Sequence, residues 1–135
     1  MSVNAEDFYN SAKQAVEQEP TNEIARRTAI SRAYYSIYHK VLSVLDNEPR
    51  TYSGKGCHGS LIHYLQTDAE HEESIEFSTL RRLAYILKQE RDNRTFADYK
   101  LQDDVSDILV QRTFATVDRC YSIINDTSIE KSQSN

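Results

Sequence analysis

Apolar positions recur along this chain at helical intervals rather than alternating, and they divide it into about five predicted helices. The first runs from about Asn4 to Gln18, with Phe8, Ala12, Ala15 and Val16 as its apolar stripe. Asn4 is its expected cap and Asp7 lies in its first turn. After a break at Pro20 and Thr21, a long second helix is expected over Asn22 to Leu45. It is apolar on two sides. Ile24, Thr28, Tyr35 and Leu42 mark one face, and Ile30, Tyr34, Ile37, Val41 and Val44 the other, so it is expected at the centre of the fold. Pro49, Gly54 and Gly56 mark a loop over Asn47 to Gly56. A short third helix follows from His58 to Gln66, with Leu61, Ile62 and Leu65 inward. Thr67 to Ser74 is acidic and reads as solvated. The fourth helix is expected over Ile75 to Asn93, with Phe77, Leu80, Leu83, Ala84 and Leu87 inward, then an irregular link from Thr95 to Leu101. The fifth starts near Asp103 or Asp104, where carboxylates complement a helix dipole. It carries Val105, Ile108, Leu109, Ala115, Val117, Ile123 and Ile124.

These elements predict an all-α, antiparallel helical bundle, with the second, fourth and fifth helices as its core. The expected organisation is one helical domain over residues 1–126 and a polar, disordered tail over 127–135. Composition agrees: only three Gly and two Pro occur in 135 residues, too few turn residues for a many-stranded sheet. No apolar run approaches the roughly 20 residues that span a membrane. The start, MSVNAEDFYN, has neither a basic segment nor an apolar one, so a cytoplasmic protein without a secretory signal is expected.

The net charge is −5, whereas a protein that coats nucleic acid usually carries the opposite sign. A local basic groove remains compatible with that balance. Cys57 and Cys120 are far apart in sequence and are expected as reduced thiols. His58, His63 and His71 follow Cys57, but their spacings repeat no standard metal-ligand motif, so no metal or other cofactor is expected. They read as polar residues on and around a short helix.

Two segments carry more information. One is Ser31-Arg32-Ala33-Tyr34-Tyr35-Ser36-Ile37-Tyr38-His39 on the second helix. The other is Glu90-Arg91-Asp92-Asn93-Arg94-Thr95-Phe96-Ala97-Asp98-Tyr99-Lys100-Leu101, before the last helix. Together, in this order, they resemble the HEPN family of small prokaryotic helical proteins, which pair an S-R-A-Y-Y-x-x-[FY]-H-like helix with a later R-x-x-[AH]-D-Y-like segment. The resemblance covers Phe8 to Ile124. It implies an up-and-down bundle that forms a homodimer and acts in toxin–antitoxin or defence-type systems. It also implies RNA as a ligand. In the ribonuclease members, an R-x(4–6)-H motif performs metal-independent cleavage: His moves protons and Arg steadies the phosphate.

At the junction motif this chain departs from the ribonuclease pattern, because Tyr99 stands where His is wanted. A tyrosine hydroxyl ordinarily titrates near pH ~10 and is a poor proton shuttle. A formal R-x6-H match remains in Arg32 and His39, on one helix face and roughly 10 Å apart along it. Arg32 and His39 are therefore the candidate catalytic pair. Arg91, Arg94 and Tyr99 are the candidate RNA- or phosphate-binding group, and Tyr35 and Asp98 are expected to line the cleft. The competing structural reading has Arg32 paired with an acid such as Asp98, His39 and the tyrosines filling the bundle, and Glu90 bridging to Arg94. Three functional readings follow: an RNA-acting HEPN protein, a noncatalytic module that binds a cognate protein partner or a nucleotide, or a helical toxin-neutralising partner.

Overall fold

The computed structural model describes residues 2–133, with side chains described through Thr127. Among them are six helices: α1 Ala5–Gln18, α2 Glu23–Val44, α3 Cys57–Gln66, α4 Ala69–Glu72, α5 Phe77–Tyr99 and α6 Asp107–Gln133. The expected all-α bundle is what the chain forms, with no strand among the described residues. α2 is the central element, packed against α1, α5 and α6, while α3 and α4 pack on α5.

The first two helices begin as the sequence predicts. Asn4 and Asp7 form a reciprocal capping box, with Asp7 N donating to Asn4 Oδ1 at 3.0 Å and Asn4 N to Asp7 Oδ2 at 2.8 Å. Asn22 caps α2 by accepting from Ala25 N at 3.0 Å. One predicted face of α2 is buried throughout: Ile30, Tyr34, Ile37, Val41 and Val44 meet Leu61 and Leu65 of α3, Leu80, Leu83 and Leu87 of α5, and Val110 and Val117 of α6 in one cluster. The other face is only partly covered, and its first member, Ile24, is 69% exposed.

Four expectations need correction. The stretch from Thr95 to Tyr99 is not an irregular link but the last turn and a half of α5. It lacks Gly and Pro, buries Ala97, and is held at its end by a side chain from another helix. That side chain is Arg27, buried in α2. It donates to the carbonyls of Ala97 (2.8 Å), Lys100 (3.2 Å) and Asp103. Its neighbour Glu23 takes Arg27 Nε at 3.1 Å and the backbone N–H of Val105 at 2.8 Å. With Asp103 and Val105 engaged in this clamp, α6 begins later than expected, at Asp107, with Ser106 Oγ accepting from Leu109 N at 3.1 Å. This register leaves Ile108 and Ala115 exposed. α6 also continues to Gln133, through most of the segment expected as a disordered tail, and Thr127 is buried; Ser134 and Asn135 lie outside the described residues.

The acidic stretch after α3 is not merely solvated. It contains α4, and its carboxylates tie down the loop before α3. Glu73 accepts from Asp46 N (2.5 Å), Asn47 N (3.1 Å) and Tyr64 Oη (2.7 Å). Arg50 pairs with Asp68 at 3.3 Å and with Glu72, and Tyr52 donates to Asp68 at 2.5 Å. Gly54, at φ +76°, makes the turn a side chain would strain. The loop thus sets where α3 begins.

The Arg27 clamp generates a stability prediction. Arg27→Ala removes its bonds to three carbonyls, of which Lys100 O keeps Asp103 N as a donor, and should lower the unfolding free energy by about 3 kcal/mol in urea titrations. Arg26→Ala, which loses only the longer bonds to Pro20 O (3.2 Å) and Val105 O (3.4 Å), should cost no more than about 1 kcal/mol. Equal losses in the two variants would show that the clamp does not hold the α5–α6 turn.

Candidate functional site

The two motif segments meet, and a residue from a third element joins them. On α2, Tyr34, Tyr35 and Tyr38 follow one another around a single side of the helix. The α5 side chain Arg94 lies across two of them, its guanidinium carbon 5.5 Å from the Tyr34 ring centre and 5.7 Å from that of Tyr35. Arg94 Nη1 donates to Tyr35 Oη at 3.0 Å and lies 3.9 Å from Asp98 Oδ2. Asp98 also accepts from Ser31 Oγ at 3.5 Å. Arg94 Nε is buried with no hydrogen-bond partner among the described residues, so the guanidinium keeps unused donor capacity.

His58 completes the group from the first turn of α3. Its Nδ1 lies 2.8 Å from Tyr34 Oη, and its ring centre is 4.4 Å from Tyr38, 5.3 Å from Tyr34 and 5.7 Å from Tyr35. The imidazole is thus fixed in place by three tyrosines. Burial, then Arg94, Arg91 and His39, push its pKa below the usual histidine value, so it is neutral at pH 7. Burial pushes the Tyr34 hydroxyl well above the usual tyrosine range. Tyr38 is pushed up to about 12 by burial and by the neighbouring Cys57 thiol. Arg91, one turn before Arg94, reaches the α3 side: its Nη1 lies 3.5 Å from where a Cβ on Gly59 would stand.

The other expected site residues lie elsewhere. Arg32 does not pair with Asp98; it is exposed and donates to Ser11 Oγ on α1 at 2.5 Å. His39 is exposed and stacks on Phe8 of α1, ring centres 5.3 Å apart and 17° from parallel. His39 lines a cavity on the α1–α2 seam; Arg32 lines another on that seam and one between α2 and the end of α5 that also holds Asp98, and none of the three includes Arg94. Tyr99, the last residue of α5, is 70% exposed and makes no side-chain hydrogen bond among the described residues. Glu90 does not bridge to Arg94: it is buried, accepts from Asn93 Nδ2 at 3.2 Å, and burial raises its pKa. Tyr35 and Asp98 do flank Arg94.

His58 is the residue that sequence reasoning missed. The spacing of the histidines bears on metal binding only, and among the described residues no three His, Cys, Asp or Glu side chains gather as a metal site. The one signal was position: His58 stands just after the two-glycine loop, at the start of a helix lying between the two motifs. Cys57 and Cys120 are free thiols, the first exposed and the second buried. No described helix is long and apolar enough to cross a membrane.

Comparison with known proteins gives no match to a protein-family model, a curated protein or a solved structure. The HEPN resemblance therefore rests on the two motif segments alone.

What the arrangement offers is chemical. Two guanidinium groups supply donors of the geometry that suits a phosphate. Tyrosine faces beside them suit an unpaired base, and a neutral imidazole held by a hydroxyl is able to accept a proton. The electrostatic part is testable by proton NMR. His58 should titrate below the ordinary histidine value of ~6.5, and Arg94→Ala should move it back upward. Because the folded pKa is depressed, the His58 contribution to stability is present above pH ~6.5 and lost as pH falls through the folded value. A His58 pKa above 6.5 in the unmodified protein would contradict this geometry.

Proposed function

We propose that this chain is a HEPN-like RNA-binding protein of a toxin–antitoxin or defence-type system, holding a phosphodiester between Arg91 and Arg94 beside His58. The observation that carries the reading is the convergence of Arg94, Tyr34, Tyr35 and His58 from three helices, with a donor of Arg94 unused. Arginine donors would take the phosphate oxygens, and the tyrosines would stack an adjacent base.

The same group supports a cleavage step without metal. A ribose 2′-hydroxyl attacks the neighbouring phosphorus, the neutral His58 imidazole takes its proton, and the 5′-oxygen leaves and is protonated by water. The product is a 2′,3′-cyclic phosphate. The group hydrogen-bonded to His58 among the described residues is the Tyr34 hydroxyl, not a carboxylate that would raise the basicity of the imidazole, so binding should greatly outpace turnover.

The test uses pure protein and single-stranded RNA in EDTA. Arg91→Ala, whose side chain forms no ion pair among the described residues, should weaken binding by about 2 kcal/mol, roughly thirtyfold. Any slow cleavage should persist in chelator and disappear in His58→Ala. Affinity unchanged in both Arg91→Ala and Arg94→Ala would end the reading.

A second reading, docking of a protein partner or a second copy, draws on a different surface. Ile24 and Leu101 are 69% and 73% exposed and line one shallow cavity near the α5–α6 turn. The tyrosine-rich face of α2 no longer argues for a homodimer, because Phe8, His58 and Arg94 already cover it within one chain. If a dimer forms through the Ile24–Leu101 surface, sedimentation should give twice the chain mass and Leu101→Asp should return the monomer. A dimer that survives that substitution would place the interface elsewhere.

A further inference from the structure

Between α3 and α5 lies a cavity of about 210 Å³ whose rim carries Lys55, His63, Lys88 and Arg91, with Gly59 and Ile62 below them. No Asp or Glu lines it. Lys55, Lys88 and Arg91 form no ion pair among the described residues, although acids outnumber bases 21 to 16 in the chain. The carboxylate whose field reaches His63 is Asp68, and it is already held by Arg50 at 3.3 Å and by the Tyr52 hydroxyl at 2.5 Å. Three uncompensated cations around one concavity repel one another, and an anion seated among them relieves that repulsion.

The cavity adjoins the site described above through one shared side chain. Arg91 Nη1 lies 3.5 Å from the Cβ position of Gly59, and Lys55 Cβ lies 3.4 Å from the same point. Gly59 therefore keeps the floor low between the two cationic side chains. Arg91 is also close enough to His58 to act on its charge. A chain of phosphates that passes Arg94 and His58 meets Arg91 next, and then this cavity.

We infer that the α3–α5 cavity is a second phosphate subsite, with Lys55, Lys88 and Arg91 as its donors, taking the backbone phosphate adjacent to the one at Arg94. That its phosphate comes from RNA rests on the function proposed above; the anion site itself does not. Lys55 and Lys88 are both exposed, so replacing them leaves the core intact.

The experiment titrates the isotopically labelled full chain with sodium pyrophosphate by amide NMR. In parallel, it measures the salt dependence of binding to a single-stranded oligoribonucleotide of about ten nucleotides. Pyrophosphate should shift the Gly59, Lys88 and Arg91 amides saturably, and the double variant Lys55→Gln/Lys88→Gln should lose most of that response. The same variant should flatten the slope of log affinity against log salt by about 0.7 for each contact removed. No saturable pyrophosphate shift, or a shift undiminished in the double variant, overturns the subsite whether or not RNA binds. RNA binding with an unchanged slope in the double variant overturns it as well. Pyrophosphate binding that needs both lysines, with no oligoribonucleotide binding, upholds the anion site and overturns the RNA reading instead.

Discussion

The guanidinium of Arg27 sits where three segments of chain meet. α5 ends there, the turn to α6 passes over it, and α2 supplies it. A helix leaves its last carbonyls without partners, and a buried end needs donors from elsewhere. Arg27 supplies them to Ala97, Lys100 and Asp103, while Glu23 balances its charge and takes the Val105 amide. The pair is one turn apart on α2, so a single helix face carries both an acceptor and a forked donor. Because the end of α5 is fixed relative to α2 in this way, the register of the whole α2–α5 contact is fixed with it. That register puts Arg94 across Tyr34 and Tyr35 and keeps Asp98 beside Ser31.

The site is also positioned from the opposite side, by a quite different device. The loop between α2 and α3 has little apolar content of its own and is held by carboxylates of the α3–α5 connection. Glu73 gathers two loop amides and the Tyr64 hydroxyl; Asp68 and Glu72 gather Arg50 and Tyr52. None of these acids lines the α3–α5 groove, and they are largely occupied. The net negative charge of the chain is therefore compatible with a cationic strip. Asp68, Glu72 and Glu73 are engaged in holding the loop, while Lys55, Lys88 and Arg91 around the groove form no ion pair among the described residues.

Arg94 and Arg91 are three residues apart and play different parts. Arg94 is mostly covered, aligned on aromatic faces and restrained by a hydroxyl and a carboxylate, so little freedom remains for it to lose on meeting a ligand. Arg91, also half-buried, forms no ion pair among the described residues, lines the groove and acts on the charge of His58. A restrained donor beside a freer one lets one phosphate be oriented while its neighbour is drawn in by charge. The imidazole of His58 is kept neutral by burial and then by the two arginines and His39, and so is placed in the cluster as a proton acceptor.

Local sequence pattern by itself determined the helical class, the cap at Asn4, the start of α2 near Asn22 and the buried face of α2, because each depends on residues within a few positions of one another. The spacing of Arg91, Arg94 and Asp98 was equally local, and Arg94 and Asp98 do lie together at the end of α5. The extension of α5 to Tyr99 was not local: it depends on Arg27, far away in sequence, occupying carbonyls that would otherwise end the helix in water. The candidate pair Arg32 and His39 illustrates the limit. They share a helix, yet Arg32 turns to Ser11 and His39 stacks on Phe8, both of α1, and the two line no common cavity. His58 illustrates the converse. Nothing in its spacing marks it, and only the docking of α3 brings its ring to Tyr34 and within the field of both arginines. Local hydrogen bonding and periodicity decide which segments are helices. The side chains that share a cavity are decided by how those helices are clamped together, which here depends on contacts between residues distant along the chain.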